Sequence, residues 1–217
     1  MNEEKVFELR GKTLVIIDWA NVYGWFKKLK WEISPQKLYN YLKSYPEVYD
    51  IRFYFGVEKG NEKSKKFSEE ILQIGYNQIS KEVKWVPVDF KFTEFIKGES
   101  GQVNKIGRSD EERKIVQEVK GLSKELNGLI KAGGFVRRKC DFDVEITRDV
   151  LLNLDKVDGI ILFSGDGDYA PLIEEVIKAG KQMILVFARG CKGKEYENFD
   201  KGLYQCSVKK LRKFIQK

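Results

Sequence analysis

Asp18, Asp143, Asp166 and Asp168 stand where carboxylates from separate parts of a chain can act together. Asp18 opens the run Asp18-Trp19-Ala20-Asn21, directly after Leu14-Val15-Ile16-Ile17, an apolar and largely β-branched stretch of strand length. In an open α/β sheet, side chains just past the carboxyl ends of strands face the ligand crevice. Asp18 is therefore a candidate ligand, and Asn21 a candidate for orienting a water or a phosphate oxygen. An Asp after a strand is also often a plain helix cap, so this motif alone decides little. Ser164-Gly165-Asp166-Gly167-Asp168-Tyr169 follows a second apolar run, Ile160-Ile161-Leu162-Phe163. Its alternating acids and glycines allow a sharp turn with both carboxylates reaching one point. A calcium loop is the competing reading, but the further ligands and terminal Glu of such a loop are missing. Lys139-Cys140-Asp141-Phe142-Asp143-Val144-Glu145 leads into a helix carrying Asp149. Asp143 near its start can face the same crevice, whereas Asp149, six residues on, points about 120° away at helical geometry. Asp143 is thus the preferred ligand and Asp149 the weaker one, while Asp141 suits the positive end of the helix dipole.

Packing gives no reason to gather so many negative charges, because their repulsion costs stability unless a cation offsets it. The sequence has no histidine. That excludes Ser-His and Cys-His nucleophiles, His-ligated zinc and His acid–base chemistry. Carboxylate oxygens without His or Cys fit Mg2+ or Mn2+. Metal held in this way can activate water and stabilise a phosphate under in-line attack, which is nuclease chemistry.

The surface charge has the opposite sign. Forty Lys plus Arg oppose 33 Asp plus Glu, a net +7, which suggests an anionic partner and nucleic acid first. Trp25-Phe26-Lys27-Lys28-Leu29-Lys30-Trp31 mixes aromatics with lysines, a composition that can stack bases and neutralise phosphates. The alternative is that the aromatics are core and Lys27, Lys28 and Lys30 only solvate a surface. Arg137-Arg138-Lys139, just before Asp141, is better placed in sequence to steer a phosphate towards the acids. Lys209-Lys210 with Arg212-Lys213 reads as a solvated helix face. The three cysteines show no CxxC spacing and suggest a reducing compartment. The opening residues lack the basic and apolar regions of a signal peptide, and no apolar run reaches membrane-spanning length. Cytoplasmic residence, with no membrane partner, is the expectation.

The elements that must hold these residues alternate. Strands are expected at Leu14 to Ile17, Ile51 to Val57, Val83 to Val88, Asp158 to Phe163 and Gln182 to Phe187. Helices are expected from Ser34-Pro35 to about Tyr45, at Asn61 to Asn77, Asp141 to Leu154 and Pro171 to Ala179, with a terminal one at Ser207 to Ile215. Such alternation predicts a doubly wound, mainly parallel sheet in one domain over residues 12–217. Phe90 to Phe135 breaks the rhythm and reads as a charged insertion: a Gly- and Ser-containing stretch at Lys97-Gly98-Glu99-Ser100-Gly101, a helix from Asp110 to about Lys131, then Gly133-Gly134. A substrate-facing arm, a dimer contact and a decorative surface helix remain open for it, and with them a homo-oligomer.

Ile16-Ile17-Asp18-Trp19-Ala20-Asn21, Lys139 through Asp149, and Leu162 through Ile173 together resemble the signatures of NYN domains, within the PIN-like nuclease superfamily. The resemblance spans roughly Lys12 to Phe187, interrupted by Phe90 to Phe135, and the SGDGDY stretch is its most specific part. It implies a PIN-like, flavodoxin-like three-layer fold and Mg2+- or Mn2+-dependent ribonuclease activity on single-stranded or structured RNA. The positions it matches are Asp18, Asn21, Asp143, Asp149, Asp166 and Asp168. Cys140-Asp141, where Gly is common, and Trp19 after the first Asp depart from the pattern without removing an acid. Two other classes compete: a non-catalytic RNA-binding or assembly module on the same fold, and a phosphatase of the haloacid dehalogenase type. The second ranks low, because Asp18 is followed by Trp19-Ala20 and not by a second Asp two residues on.

Overall fold

In the computed structural model, residues 5–88, 110–132 and 136–217 are described. The chain divides into two compact units, Met1–Val83 with Cys140–Lys217, and Lys84–Lys139.

The first unit is built on six strands: β1 (Thr13–Asp18), β2 (Val48–Val57), β3 (Asn77–Glu82), β6 (Gly159–Phe163), β7 (Gln182–Phe187) and β8 (Leu203–Ser207). Their order is β3-β2-β1-β6-β7-β8, and every pairing is parallel. Connections run outwards from β1 to β3 and then outwards again from β6 to β8. The order therefore reverses between β1 and β6, and a crevice opens at the carboxyl ends of those two strands. Alternation along the central strands divides two cores. Val15, Ile17, Ile161, Phe163, Ile184 and Val186 face one layer; Leu14, Ile16, Ile160, Leu162, Met183 and Leu185 face the other. Helices α1 (Trp19–Gly24), α2 (Phe26–Leu29), α3 (Pro35–Lys43), α4 (Glu62–Ile74) and α8 (Arg212–Ile215) cover the first face. Helices α6 (Asp143–Asn153) and α7 (Ala170–Lys178) cover the second. Burial on both faces is why β1 and β6 are continuous apolar runs in sequence. The expected doubly wound, three-layer architecture is the one observed.

Helix ends follow local chemistry. The Ser34 hydroxyl accepts the Lys37 N–H ahead of Pro35, and the Asn61 side chain accepts the N–H groups of Lys63 and Ser64. Gly75, in the left-handed region at φ 107°, ends α4 before the expected limit at Asn77.

Two expectations are corrected. The third strand of the sheet is Asn77–Glu82, a polar, half-exposed edge strand, and not Val83 to Val88. Residues 203–207 form the opposite edge strand, so the C-terminal helix is shortened to a 3-10 turn, Val208–Leu211, and the single helical turn α8. Edge strands bury only part of their surface, and neither edge carried an apolar signal. The segment after Asp18 forms α1 and α2, which the sequence reading left unassigned.

The second unit contains β4 (Lys84–Pro87) paired antiparallel with β5 (Val136–Lys139), together with α5 (Asp110–Ala132). The stretches Lys97-Gly98-Glu99-Ser100-Gly101 and Gly133-Gly134 lie outside the described residues. In the first unit, the residues flanking this segment meet: a methyl group at Gly56 would collide with both Val83 and Cys140.

Candidate functional site

Asp18 ends β1 and caps α1, where one of its oxygens accepts the Asn21 N–H at 3.3 Å. Its other oxygen accepts the Ser164 hydroxyl at 3.2 Å and lies 3.5 Å from the Tyr169 hydroxyl. Ser164 follows β6, so this one carboxylate joins the two strands at the point of reversal. It is only 6% exposed. Burial pushes its carboxyl up to about 6; the Asn21 N–H and Ser164 hydroxyl pull it down, and repulsion from Asp143 and Asp166 adds to the rise.

The loop after β6 is fixed by its neighbours. Asn21 Oδ1 accepts the Gly165 N–H at 2.9 Å and the Trp25 indole N–H at 2.9 Å, so its carbonyl ties this loop to α1. Asp166 accepts the Asp168 N–H at 3.1 Å, while Tyr196 donates its hydroxyl to the Asp166 carbonyl oxygen. Gly165 and Gly167 are not in the left-handed region. Gly165 is needed for close approach, since a methyl group there would strike the Cys191 backbone carbonyl, while one at Gly167 would displace the end of the Glu195 side chain. The glycine spacing in SGDGD therefore reflects the loop after β7 packing on the loop after β6.

Asp143 begins α6. Burial raises its carboxyl, as do the charges of Asp166, Asp141 and Asp168, while a hydrogen bond from Tyr169 lowers it. Burial and the charges of Asp18 and Asp143 push the Tyr169 hydroxyl far up, so it remains a donor between these acids. Asp166 is half-buried and Asp168 exposed.

Asp18, Asp143 and Asp166 thus come within mutual electrostatic range, with Asp168 at the solvent side. The sequence expected one metal-sized cluster of four. Among the described residues, no three His, Cys, Asp or Glu side chains meet closely enough to hold an ion. Asp149 faces elsewhere. It accepts the Tyr54 hydroxyl at 2.7 Å and pairs with Arg52 at 3.2 Å.

The lysines Lys27 and Lys28 on α2, and Lys30 at its left-handed end, are exposed. Trp25 and Trp31 are core, at 1% and 6% exposure, which decides between the two readings of that stretch for the tryptophans. Arg137, Arg138 and Lys139 are exposed on β5 in the second unit. Glu145 pairs with Lys81 at 2.7 Å. Sequence reasoning missed Glu195 and Tyr196, on the 3-10 turn Lys194–Asn198 after β7. Position beyond the carboxyl end of a strand was the available signal, but the seven residues between Phe187 and Glu195 obscured it.

Residues 99–201 match the model of the NYN domain. The match takes in Asp143, Asp149, Asp166 and Asp168 and begins well after Asp18 and Asn21, which the fold brings to the same place. No curated protein matches the chain. A crystal structure of a protein of unknown function from Vibrio parahaemolyticus is similar, with a TM-score of 0.57 and 17% identity, covering 93% of this chain and 95% of that one. At that identity the likeness shows the fold alone. Among the described residues, no helix is long and apolar enough to cross a membrane.

Proposed function

We propose that this chain is a divalent-metal-dependent ribonuclease whose carboxylates are Asp18, Asp143, Asp166 and Asp168. The observation that carries the reading is Asp18: a buried carboxylate at the point where strand order reverses, repelled by two further aspartates and held only by neutral donors among the described residues. Hard oxygen donors without histidine fit Mg2+ or Mn2+ and not zinc. Bound there, such an ion would supply Lewis-acid activation of water and neutralisation of charge on the phosphate.

The chain's own groups do the positioning. The Asn21 N–H and the Ser164 hydroxyl fix the two oxygens of Asp18. Tyr169, kept protonated, donates between Asp18 and Asp143. Asn21 Oδ1 and Tyr196 fix the backbone on either side of Asp166. Exposed Asp168 supplies a carboxylate on the side from which substrate enters, and Glu195 is a further acid beside Gly167. Asp149, neutralised by Arg52, serves structure. Lys27, Lys28, Lys30, Arg137, Arg138 and Lys139 are the proposed phosphate contacts, supported by their exposure and the net +7.

The test is incubation of the full chain with labelled single-stranded RNA in Mn2+, Mg2+ or EDTA. Cleavage dependent on the ion and lost in Asp166→Asn supports the reading; cleavage unchanged in EDTA overturns it. The separation of the carboxylates favours a second reading, a non-catalytic RNA-binding module on the same fold. RNA binding with no turnover in either ion would establish that one instead.

A further inference from the structure

Helix α1, capped by Asp18, carries two kinds of aromatic. Helical spacing turns Trp19 and Val22 into the core and leaves Tyr23 63% exposed. Phe26, at the start of α2, is 39% exposed and its ring lies 5.7 Å from that of Tyr23. Trp19, Tyr23, Phe26, Trp31 and Phe67 line a cavity of about 380 Å³. That volume is within the range of small-molecule sites, roughly 300–1,000 Å³. Glu32, paired with Lys217 at 3.2 Å, and Glu70 stand at its polar edge. A second hollow of about 470 Å³ shares Phe26, Trp31 and Glu32 with the first and adds Lys27 and Lys30.

This arrangement separates the two chemistries of a nucleotide. Aromatic walls accept the face of a base, and the Glu70 carboxylate at the edge can accept hydrogen bonds from its amino groups. The lysines next door take the backbone. Tyr23 lies five residues from Asp18, about 7.5 Å of helix rise and about 140° around the helix axis.

We infer that the α1–α2 aromatic pocket holds an unstacked base of single-stranded RNA and thereby sets single strands as the substrate class. A duplex keeps its bases stacked on each other and cannot fill the pocket. The inference rests on the ribonuclease reading for its substrate, but it concerns different residues.

The test measures binding of the full chain, in EDTA, to three labelled strands of equal length: single-stranded RNA, the same sequence as a duplex, and an abasic strand with the same phosphates. The single strand binds tightest, by roughly 10-fold or more over the abasic one. Tyr23→Ala with Phe26→Ala removes that advantage and leaves abasic binding unchanged, whereas Lys27→Ala with Lys30→Ala weakens both strands alike. Tyr23 and Phe26 are exposed, so truncation spares the core, and Tyr23→Phe, which keeps the ring, retains the preference. Equal affinity for all three strands, or a Tyr23/Phe26 variant that binds as wild type does, overturns the inference. If these preferences hold but neither Mg2+ nor Mn2+ produces cleavage, the nuclease reading fails and the pocket stands. Cleavage without base preference gives the reverse.

Discussion

Two sets of carboxylates on the same body are treated in opposite ways. Along β2 and α6, Asp50 and Asp149 share Arg52 at 2.9 and 3.2 Å, and Glu145 holds Lys81 at 2.7 Å. At the carboxyl ends of β1 and β6, Asp18 is the most buried acid, yet among the described residues its partners are an N–H and two hydroxyls. Paired acids stabilise the fold or leave it neutral; an unpaired buried acid costs stability. A fold that retains that cost at the reversal of its strand order has placed an electrostatic demand there, the demand that the proposed cation would meet.

The strongest way to break this contrast is at Asp166. Asp166→Asn should reduce metal-dependent cleavage of RNA by roughly 100-fold or more, the scale of losing one charge-stabilising group. RNA affinity should hold or rise slightly, since a charge that repels phosphate is gone. Wild-type turnover in Mg2+ would remove Asp166 from the machinery.

Asp18 tests the cost itself. Its folded carboxyl, raised to about 6, binds a proton more tightly than the unfolded chain does near 3.8. Stability from this group is therefore full below the unfolded value and is lost as pH rises through the folded one. Above that window the penalty is roughly 3 kcal/mol for a two-unit shift. In EDTA, Asp18→Asn should accordingly be more stable than wild type at pH 7.5, and the difference should vanish near pH 4. A variant less stable than wild type at both values would mean that the carboxylate is structural.

Arg52 tests the paired set. Arg52→Ala leaves Asp50 without its cation and Asp149 with only the exposed Arg148 at 3.5 Å, and after allowance for solvent should cost about 2 kcal/mol, read as a lowered Tm. Cleavage per folded molecule should persist. If activity falls while Tm does not, Asp149 belongs with the unpaired acids after all.

The smallest effect concerns Arg137 and Arg138. Replacing both with Ala should weaken RNA binding alike for unrelated sequences and lower the salt slope by about 1 per lost phosphate contact. An unchanged slope together with a lowered Tm would make them structural.

The same contrast explains what the sequence disclosed. Asp18 and the SGDGD stretch were legible because each follows a strand buried on both faces, which must read as an unbroken apolar run. β3 (Asn-Gln-Ile-Ser-Lys-Glu) and β8 are edges, where polar residues are tolerated, and they carried no signal. The pairing of Asp149 with Arg52 joins residues far apart in the chain, and spacing within one helix indicated only that Asp149 points away. Glu195 reaches Gly167 through a loop, and no local pattern announces such an approach. The tryptophans of the Trp25 to Trp31 stretch were legible as aromatic but not as buried, because helices as short as α1 and α2 show too little periodicity to assign faces.

Val83 and Cys140 both lie against Gly56, so the six-stranded body leaves and re-enters its own chain at a single doorway. Anything hung between those two residues is a closed loop whose ends are already together, and the entropy of closing such a loop grows only with the logarithm of its length. The sheet is thus nearly indifferent to what is spliced there. In engineering terms the position is a socket: exchange of residues 84–139 for a short linker is expected to leave the register of β1 with β6, and with it the placement of the acids, to the body alone.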